Sequence, residues 1–351
     1  MEGDEEFDRA NSLSKLKNLL QQIDGSKVTL IGDTMLDRYH HGFANNLTST
    51  APVPVVKIIR SEESPGASAH IALGLNSLGM NVEFYCSVGD DDEGKTILNF
   101  LSEKNINTDN ISIAKDRKTL TKIRFYGSRE SLLDRSQMLL QADRGPQEKL
   151  SEEISIRLFN GANKSLKESC ALVISDYDKG VITADEAQKL INRSIKLDIP
   201  VIVDPKLTGL EKSIGATVVL FEIRGLELLR RRMMVNSSKE AAFNLINQYN
   251  WKSLLVLGGI NGVTLYENTQ DYLHIPCMST SPEQQIGLHD AAATALAAAL
   301  GHGMGMRDSA TLAAAACECV LSAQSSMEFV DLETLGLWLD ELSWKMQISE
   351  R

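Results

Sequence analysis

The chain has 351 residues and carries 36 Lys and Arg residues against 47 Asp and Glu residues, a formal net charge of −11 at pH 7. This length is sufficient for a substantial buried core. The negative charge repels nucleic-acid backbones and anionic lipid surfaces, so we expect neither as a partner.

The first 25 residues are acidic and polar, and we predict that they form a short solvated tail with a helix. No basic segment precedes an apolar one, and no later stretch reaches the roughly 18 uncharged apolar residues of a membrane span. The five cysteines lack the spacing of metal ligands, which indicates a reducing compartment. We therefore expect a cytoplasmic protein.

Apolar, β-branched segments alternate with amphipathic helical segments over residues 26–325. This alternation predicts an α/β fold with a mainly parallel sheet covered by helices on both faces. In such sheets, ligands bind beyond the carboxyl ends of the strands. The predicted strands are VTLIGD (28–33), NVEFYCSVG (81–89), ALVISDY (171–177), IPVIVDP (199–205), ATVVLF (216–221) and SLLVLGG (253–259).

Two segments interrupt this alternation, at about 38–60 and 118–142, because they are rich in β-branched residues and lack helical periodicity. We predict that they form a small β lid over the cleft. Exposed strands with apolar faces tend to pair between subunits, so the lid also predicts a homodimer. Residues 326–351 are predicted to be a C-terminal helical tail.

Charged residues follow several of the predicted strands. Asp33 ends the first strand, and Asp37 follows four residues later. Either Asp33 caps a turn and Asp37 is solvated, or both accept hydrogen bonds from the hydroxyls of a polyol. Asp176 and Lys179 follow another strand, where they are ordinary turn residues or part of a charged rim around a ligand.

Glycines mark a second candidate site. Gly258, Gly259 and Gly262 lie between two predicted strands, where they form a hairpin or allow close packing against a flat base.

The sequence GLHD (287–290) precedes an alanine-rich helix. Asp290 is interpreted either as the N-cap of this helix or as a general base beside amides that bind a developing negative charge.

Eight segments, taken in order, resemble motifs of the ribokinase-like (PfkB) carbohydrate kinases, and within that family those of the heptose-7-phosphate kinases. The resemblance implies a three-layer sandwich with about eight central strands and a β lid. It also implies transfer of a phosphoryl group from ATP, with Mg²⁺, to a sugar or sugar phosphate. The segments are GDTMLDRY (32–39), APVPVVK (51–57), SPGASAHIALGLNSLG (64–79), SVGDDDEGK (87–95), TLTKIR (119–124), ISDYDKG (174–180), VDPK (203–206) and GLHDAAATALAAAL (287–300).

The resemblance implies that Asp290 is the base, with the amides from Gly287 through Leu288 and His289 around the transferring phosphoryl group. Nucleotide binding is assigned to Glu222 and to the three glycines, while the metal ligands are left unassigned. The substrate-binding candidates are Asp33, Asp37, Gly66, His70, Lys122, Asp176 and Lys179.

The nucleotide side departs further from the family pattern than the sugar side. Leu288 and His289 stand where the family has small residues, and Glu222 stands where it has asparagine. His289 is either a cation beside the phosphate or a helix-start residue that points away. These departures keep two alternatives open: a catalytically impaired protein of this fold that binds a sugar phosphate or a protein partner, and a kinase in which Glu222 serves a different metal or donor.

Overall fold

The computed structural model describes residues 2–128, 136–146, 150–279, 286–323 and 329–349. Its helices are α1 (Glu2–Leu20), α2 (Ser68–Ser77), α3 (Asp92–Glu103), α4 (Glu152–Ser165), α5 (Ala184–Lys196), α6 (Ile223–Met233), α7 (Ser238–Tyr249), α8 (Leu288–Gly301), α9 (Met306–Ser322) and α10 (Leu332–Ser349). Its strands are β1 (Lys27–Gly32), β2 (Thr34–Leu47), β3 (Pro54–Ala67), β4 (Asn81–Gly89), β5 (Ile111–Ala114), β6 (Thr121–Ser128), β7 (Gln137–Arg144), β8 (Ala171–Ser175), β9 (Val201–Asp204), β10 (Val218–Glu222), β11 (Ser253–Leu257), β12 (Val263–Glu267) and β13 (Tyr272–Ile275).

Nine of the described strands form one sheet, in the order β13-β12-β11-β10-β9-β8-β1-β4-β5. The strands from β11 to β5 in this order run parallel, whereas β12 and β13 are an antiparallel extension at one edge. The sheet therefore has nine strands, seven of them parallel, where about eight were expected. The order reverses beside β1, which creates the crevice at the carboxyl ends where ligands of α/β sheets bind.

Helices cover both faces of this sheet. Strand residues alternate between two apolar cores, so that Val219 packs under α5, α6 and α7 while Val218 and Leu220 face the opposite layer. That opposite layer contains α1, α2, α3, α8, α9 and α10. The predicted three-layer α/β fold is confirmed.

A second sheet has the order β3-β2-β6-β7 and contains the segments predicted as a lid. Residues 129–135 of the second lid segment lie outside the described residues. β2 begins one residue after Asp33, and β3 ends where α2 begins, so both strands start or finish at the rim of the central sheet.

The N-terminal segment differs from the expected solvated tail. α1 buries Leu13, Leu16 and Leu19, and it lies against α10, where Leu335 and Leu339 are fully buried. Apolar residues three positions apart form one face of a helix. The prediction of a solvated tail gave more weight to the charged residues at the start of the segment than to this apolar spacing. The predicted boundary at 325/326 lies outside the described residues. Within the described ranges, the helices lack the combination of length and apolar character that crossing a lipid bilayer requires.

Candidate active site

The start of α8 is built around Gly287. This residue has φ +94°, a left-handed conformation that favours glycine, and it occupies the N-cap. The first amides of a helix lack acceptors within the helix, and the helix dipole favours an anion beside them. Asp290 is the third residue of α8 and its side chain does not cap it, so the N-cap interpretation of Asp290 is wrong.

The carboxylate of Asp290 is buried beside His70. Asp290 is 7% exposed, and its Oδ2 lies 3.3 Å from His70 Nδ1. Its Oδ1 has no hydrogen-bond partner among the described residues. One oxygen therefore contacts an imidazole, and the other is buried without a hydrogen-bond partner.

His289 points to the ends of two strands. Its Nδ1 lies 2.7 Å from Asp204 Oδ1, and its Nε2 lies 3.8 Å from Glu222 Oε1. Burial opposes the charged ring, but the Asp204 and Glu222 carboxylates outweigh it and raise the pKa of His289 to about 9. His289 is thus a cation at neutral pH, paired with Asp204.

A cavity of about 480 Å³ opens in front of α8. It contains the predicted catalytic residues together with three of the four predicted nucleotide residues, Glu222, Gly258 and Gly259. A Cβ atom at Gly259 would meet nothing within 4 Å, so the wall is open there. The lining residues are Tyr177, Glu222, Ile223, Arg224, Leu257, Gly258, Gly259, Ile286, Gly287, Leu288, His289 and Asp290.

Gly262, the fourth predicted nucleotide residue, does not line this cavity, so its assignment to nucleotide binding is corrected. It has φ +78°, and a Cβ atom there would lie 2.1 Å from the carbonyl oxygen of Ile275. Glycine is required at position 262 because β13 lies so close to the turn between β11 and β12.

Asp33 lies at the switch point beside β1, where it fixes the loop after β8. Its Oδ2 accepts hydrogen bonds from the amides of Tyr177 and Lys179, both at 2.9 Å, and its Oδ1 accepts one from Val181 at 3.3 Å. Burial raises the pKa of Asp33 to about 6 in spite of these hydrogen bonds. A contact between Asp33 and a sugar hydroxyl remains a prediction.

Asp176 and Lys179 lie in the loop after β8. The side chain of Asp176 has no exposed surface and pairs with Lys212 Nζ at 3.0 Å, so it stabilises the loop and cannot contact a substrate directly, which corrects the prediction for Asp176. Lys179 lines a cavity of about 840 Å³ that shares no lining residue with the cavity in front of α8, and it also lines a small cavity beside Asp33. A contact between Lys179 and a substrate remains a prediction.

Asp37 and Gly66 lie together on the lid side of the crevice. Asp37 Oδ1 accepts a hydrogen bond from Arg124 Nη1 at 2.6 Å, and both residues are under 10% exposed. A Cβ atom at Gly66 would lie 2.0 Å from Asp37 Oδ2. Gly66 therefore makes room for this ion pair, and sugar contacts by Asp37 and Gly66 remain predictions.

Two lysines flank Tyr177, which lines the cavity. Lys122 Nζ lies 5.4 Å and Lys206 Nζ 4.2 Å from the centre of its ring. Burial lowers the pKa of Lys122, although Asp37 acts in the opposite direction. Within the described part of the chain, neither lysine forms an ion pair with a carboxylate. In a protein of charge −11, such a pair of cations is a local attraction for an anionic group.

Sequence reasoning missed Arg124, Tyr177 and Arg224. Arg124 lies two residues after Lys122, and this spacing puts both on one face of a strand, a signal that was available. Tyr177 stands between two acids after β8 and has no such signal. Arg224 lines the cavity from the first turn of α6.

Comparison with known proteins decides the family. Residues 26–332 match the pfkB family carbohydrate kinases. The chain belongs to this family. This membership confirms the predicted resemblance and, at the level of the family, a carbohydrate kinase.

A bifunctional protein HldE of Psychromonas ingrahamii is 32% identical to this PfkB chain over 310 residues, which are 87% of the chain and 62% of that relative. The chain therefore spans less than two thirds of the relative's length. A putative ribokinase from Agrobacterium tumefaciens superimposes with a TM-score of 0.70 at 17% identity, covering 91% of this chain and 98% of that one. Phosphofructokinase-2 from Escherichia coli in complex with fructose-6-phosphate gives 0.69 at 16% identity, covering 91% and 99%. These two structures support the fold.

Proposed function

We propose that this chain transfers a phosphoryl group from ATP to a hydroxyl group of a sugar or sugar phosphate, with Asp290 as the general base. The observation that carries the proposal is the carboxylate of Asp290. It stands with one unpartnered oxygen at the start of a helix whose first amides border a cavity. A base and an anion-binding helix start are the two groups that phosphoryl transfer to an alcohol requires.

In this proposal, Asp290 Oδ1 accepts the proton of the attacking hydroxyl. The amides at the start of α8 then stabilise the negative charge on the transferring group. The cationic ring of His289 lies in the same turn, but Asp204 largely balances its charge. Most of the stabilisation therefore comes from the fixed amides.

The cavity also fits a nucleotide. Gly258 and Gly259 present a wall without side chains, and Arg224 supplies a positive charge beside it. Mg²⁺, which would neutralise phosphate charge, usually keeps several water and phosphate ligands and needs one or two carboxylates. Glu222, whose side chain is 67% exposed at the cavity, is the carboxylate placed to serve it. Among the described residues, no cluster of three or more His, Cys, Asp or Glu side chains could hold a metal alone.

The lid side supports a phosphorylated sugar as the acceptor. Lys122 and Lys206 approach Tyr177 from two elements and supply two cations close to the cavity. Asp33, Asp37 and Gly66, which lie where β2 and β3 meet the central sheet, would meet the hydroxyl groups. We therefore expect a sugar phosphate to be a better substrate than the corresponding free sugar.

Turnover of Mg·ATP with a panel of free and phosphorylated sugars, including heptose 7-phosphate, tests this function. In Asp290→Asn we expect kcat to fall by roughly 10²- to 10⁴-fold with sugar binding retained, because the proton acceptor is lost. Asp271→Asn, in an exposed turn, is the matched control and should keep wild-type activity. Equal activity of wild type and Asp290→Asn would contradict the role of Asp290.

A second function is supported by one observation. Glu222 places a negative charge within 3.8 Å of His289, beside the proposed phosphate position, and this charge opposes binding of ATP without a metal. A protein of this fold that binds a sugar phosphate without catalysis is therefore the alternative. Titration calorimetry distinguishes the two, since binding of the sugar phosphate with no binding of Mg·ATP would favour the alternative.

We further propose a homodimer formed through the lid sheet. His40, Phe125 and Leu140 are cross-strand partners in a row on one face of this sheet, and Leu140 is 57% exposed. Other exposed apolar residues of the same sheet are Leu47, Val55, Ile58, Ile59, Met138 and Leu139. An exposed apolar row of this kind on a thin sheet is typical of a contact between protein surfaces.

A further inference from the structure

The side chain of His70 contacts the carboxylate of Asp290, and the reaction proposed above gives this contact no role. His70 is the third residue of α2, is 6% exposed, and places Nδ1 3.3 Å from Asp290 Oδ2. α2 begins where β3 ends. A lid strand and the catalytic helix therefore meet at this contact.

The ring of His70 is fixed by packing on two sides. A Cβ atom at Gly287 would lie 3.2 Å from His70 Cε1, so the glycine leaves the space that the ring fills. Phe329 packs against the ring edge to face, with 6.2 Å between the ring centres. A ring held in this way fixes the direction of the Nδ1 donor.

We infer that His70 is a positioning residue for Asp290. It donates a hydrogen bond from Nδ1 to Oδ2, and this bond orients the carboxylate so that Oδ1 faces the acceptor hydroxyl. The inference rests on the proposed function, in which Asp290 is the base.

The two oxygens of Asp290 therefore have different roles. Oδ2 is held by a donor that stabilises the charged carboxylate, and Oδ1, which has no hydrogen-bond partner among the described residues, receives the proton. His289 and Tyr177 also interact electrostatically with Asp290. Of the three, His70 is the one in direct contact with the carboxylate.

Kinetics of two variants test the inference. His70→Leu keeps the approximate volume and removes the donor, whereas the amide of His70→Asn places a donor near the position of Nδ1. We expect His70→Leu to lower kcat roughly tenfold, because the carboxylate loses the donor that orients it. His70→Asn should restore most of kcat, and KM for ATP should stay within twofold in either variant.

A matched control is His274→Leu, the same change at an exposed position of β13, which should leave kinetics unchanged. If His70→Leu lacks the native circular dichroism spectrum, His70→Ala replaces it in the comparison with His70→Asn. A wild-type kcat in the variant without the donor would overturn the inference. An equal loss of kcat in His70→Asn and in the variant without the donor would also overturn it.

An NMR measurement separates failure of this inference from failure of the proposed function. The chain has only six histidines, so their ring signals can be assigned by single substitutions. Because the ring of His70 contacts the carboxylate of Asp290, Asp290→Asn should change the chemical shifts of the His70 ring signals and leave those of His274 unchanged. Ring signals of His70 that stay the same in Asp290→Asn would overturn the contact, whether or not the protein turns over a sugar.

Discussion

His289 shows how one residue changes character through a distant partner. It is the second residue of α8, a position that gives no indication of a charged histidine. The structure places it 2.7 Å from Asp204, which lies 85 residues away in sequence. The carboxylate converts a residue that would be mostly neutral into a cation. The charge of this residue is therefore set by the fold.

This ion pair predicts a pH dependence of stability. The pKa of His289 is raised from 6.5 to about 9. The stability from this group is therefore fully present below pH 6.5 and is lost as the pH rises through about 9. Urea unfolding at pH 6, 7.5 and 9 should show a decline in the free energy of unfolding that is smaller in His289→Gln. His274→Gln, at an exposed site, should follow the wild type, and parallel curves for wild type and His289→Gln would refute the assignment.

Sequence reasoning placed correctly the residues whose position follows from local structure. GLHD before an alanine run predicted a helix start, and Gly287 to Asp290 do line the cavity with Glu222, Gly258 and Gly259. It failed where a long-range contact decides the role. Asp176 was assigned to the substrate, but Lys212, 36 residues later, occupies its carboxylate. Neither spacing nor residue type reveals such a pairing.

The strands of the lid show the same principle at the level of elements. Gly66 in β3 matters because Asp37 in β2 lies against it, and Asp37 is fixed in turn by Arg124 in β6. The β-branched composition of these segments predicted strands, and the structure confirms them as β2, β3, β6 and β7. Their pairing, β3-β2-β6-β7, brings together residues that the sequence separates.

This arrangement predicts opposite effects for two glycine substitutions. In Gly66→Ala, the new Cβ atom displaces the Asp37 carboxylate from Arg124, and we expect a loss of about 3 kcal/mol, as for a broken buried ion pair. In Gly336→Ala, inside α10, the Cβ atom meets nothing within 4 Å, so a gain of about 1 kcal/mol is expected from helix propensity. Urea unfolding measures both. Similar free energies for the two variants would show that Asp37 can move without cost.

At the scale of the whole molecule, a protein with a large negative net charge exposes apolar side chains on its lid sheet. The chain carries a net charge of −11, yet the outer face of the lid sheet exposes apolar side chains such as Ile58 and Leu140. A second copy of the chain would cover this face without bringing the acidic bodies into direct contact.

The proposed dimer predicts a change of mass on substitution. Leu140→Glu places a charge in the row formed with Phe125 and His40, so the protein should sediment as a monomer at micromolar concentration while the wild type sediments as a dimer. Ile195→Glu changes an apolar residue of α5 that is 54% exposed and should leave the mass unchanged. A monomeric wild type over the whole concentration range would refute the dimer.

β2 and β3 are each 14 residues long, which corresponds to about 46 Å of extended chain. One end of this ribbon holds Asp37 and Gly66 beside the crevice, and the other end exposes Leu47 and Val55. In the proposed dimer, this ribbon joins the crevice to the contact between subunits, and any coupling between sugar binding and dimer formation acts equally in both directions. Dilution to monomers would then weaken affinity for the acceptor, and saturation with the acceptor would strengthen self-association by the same factor.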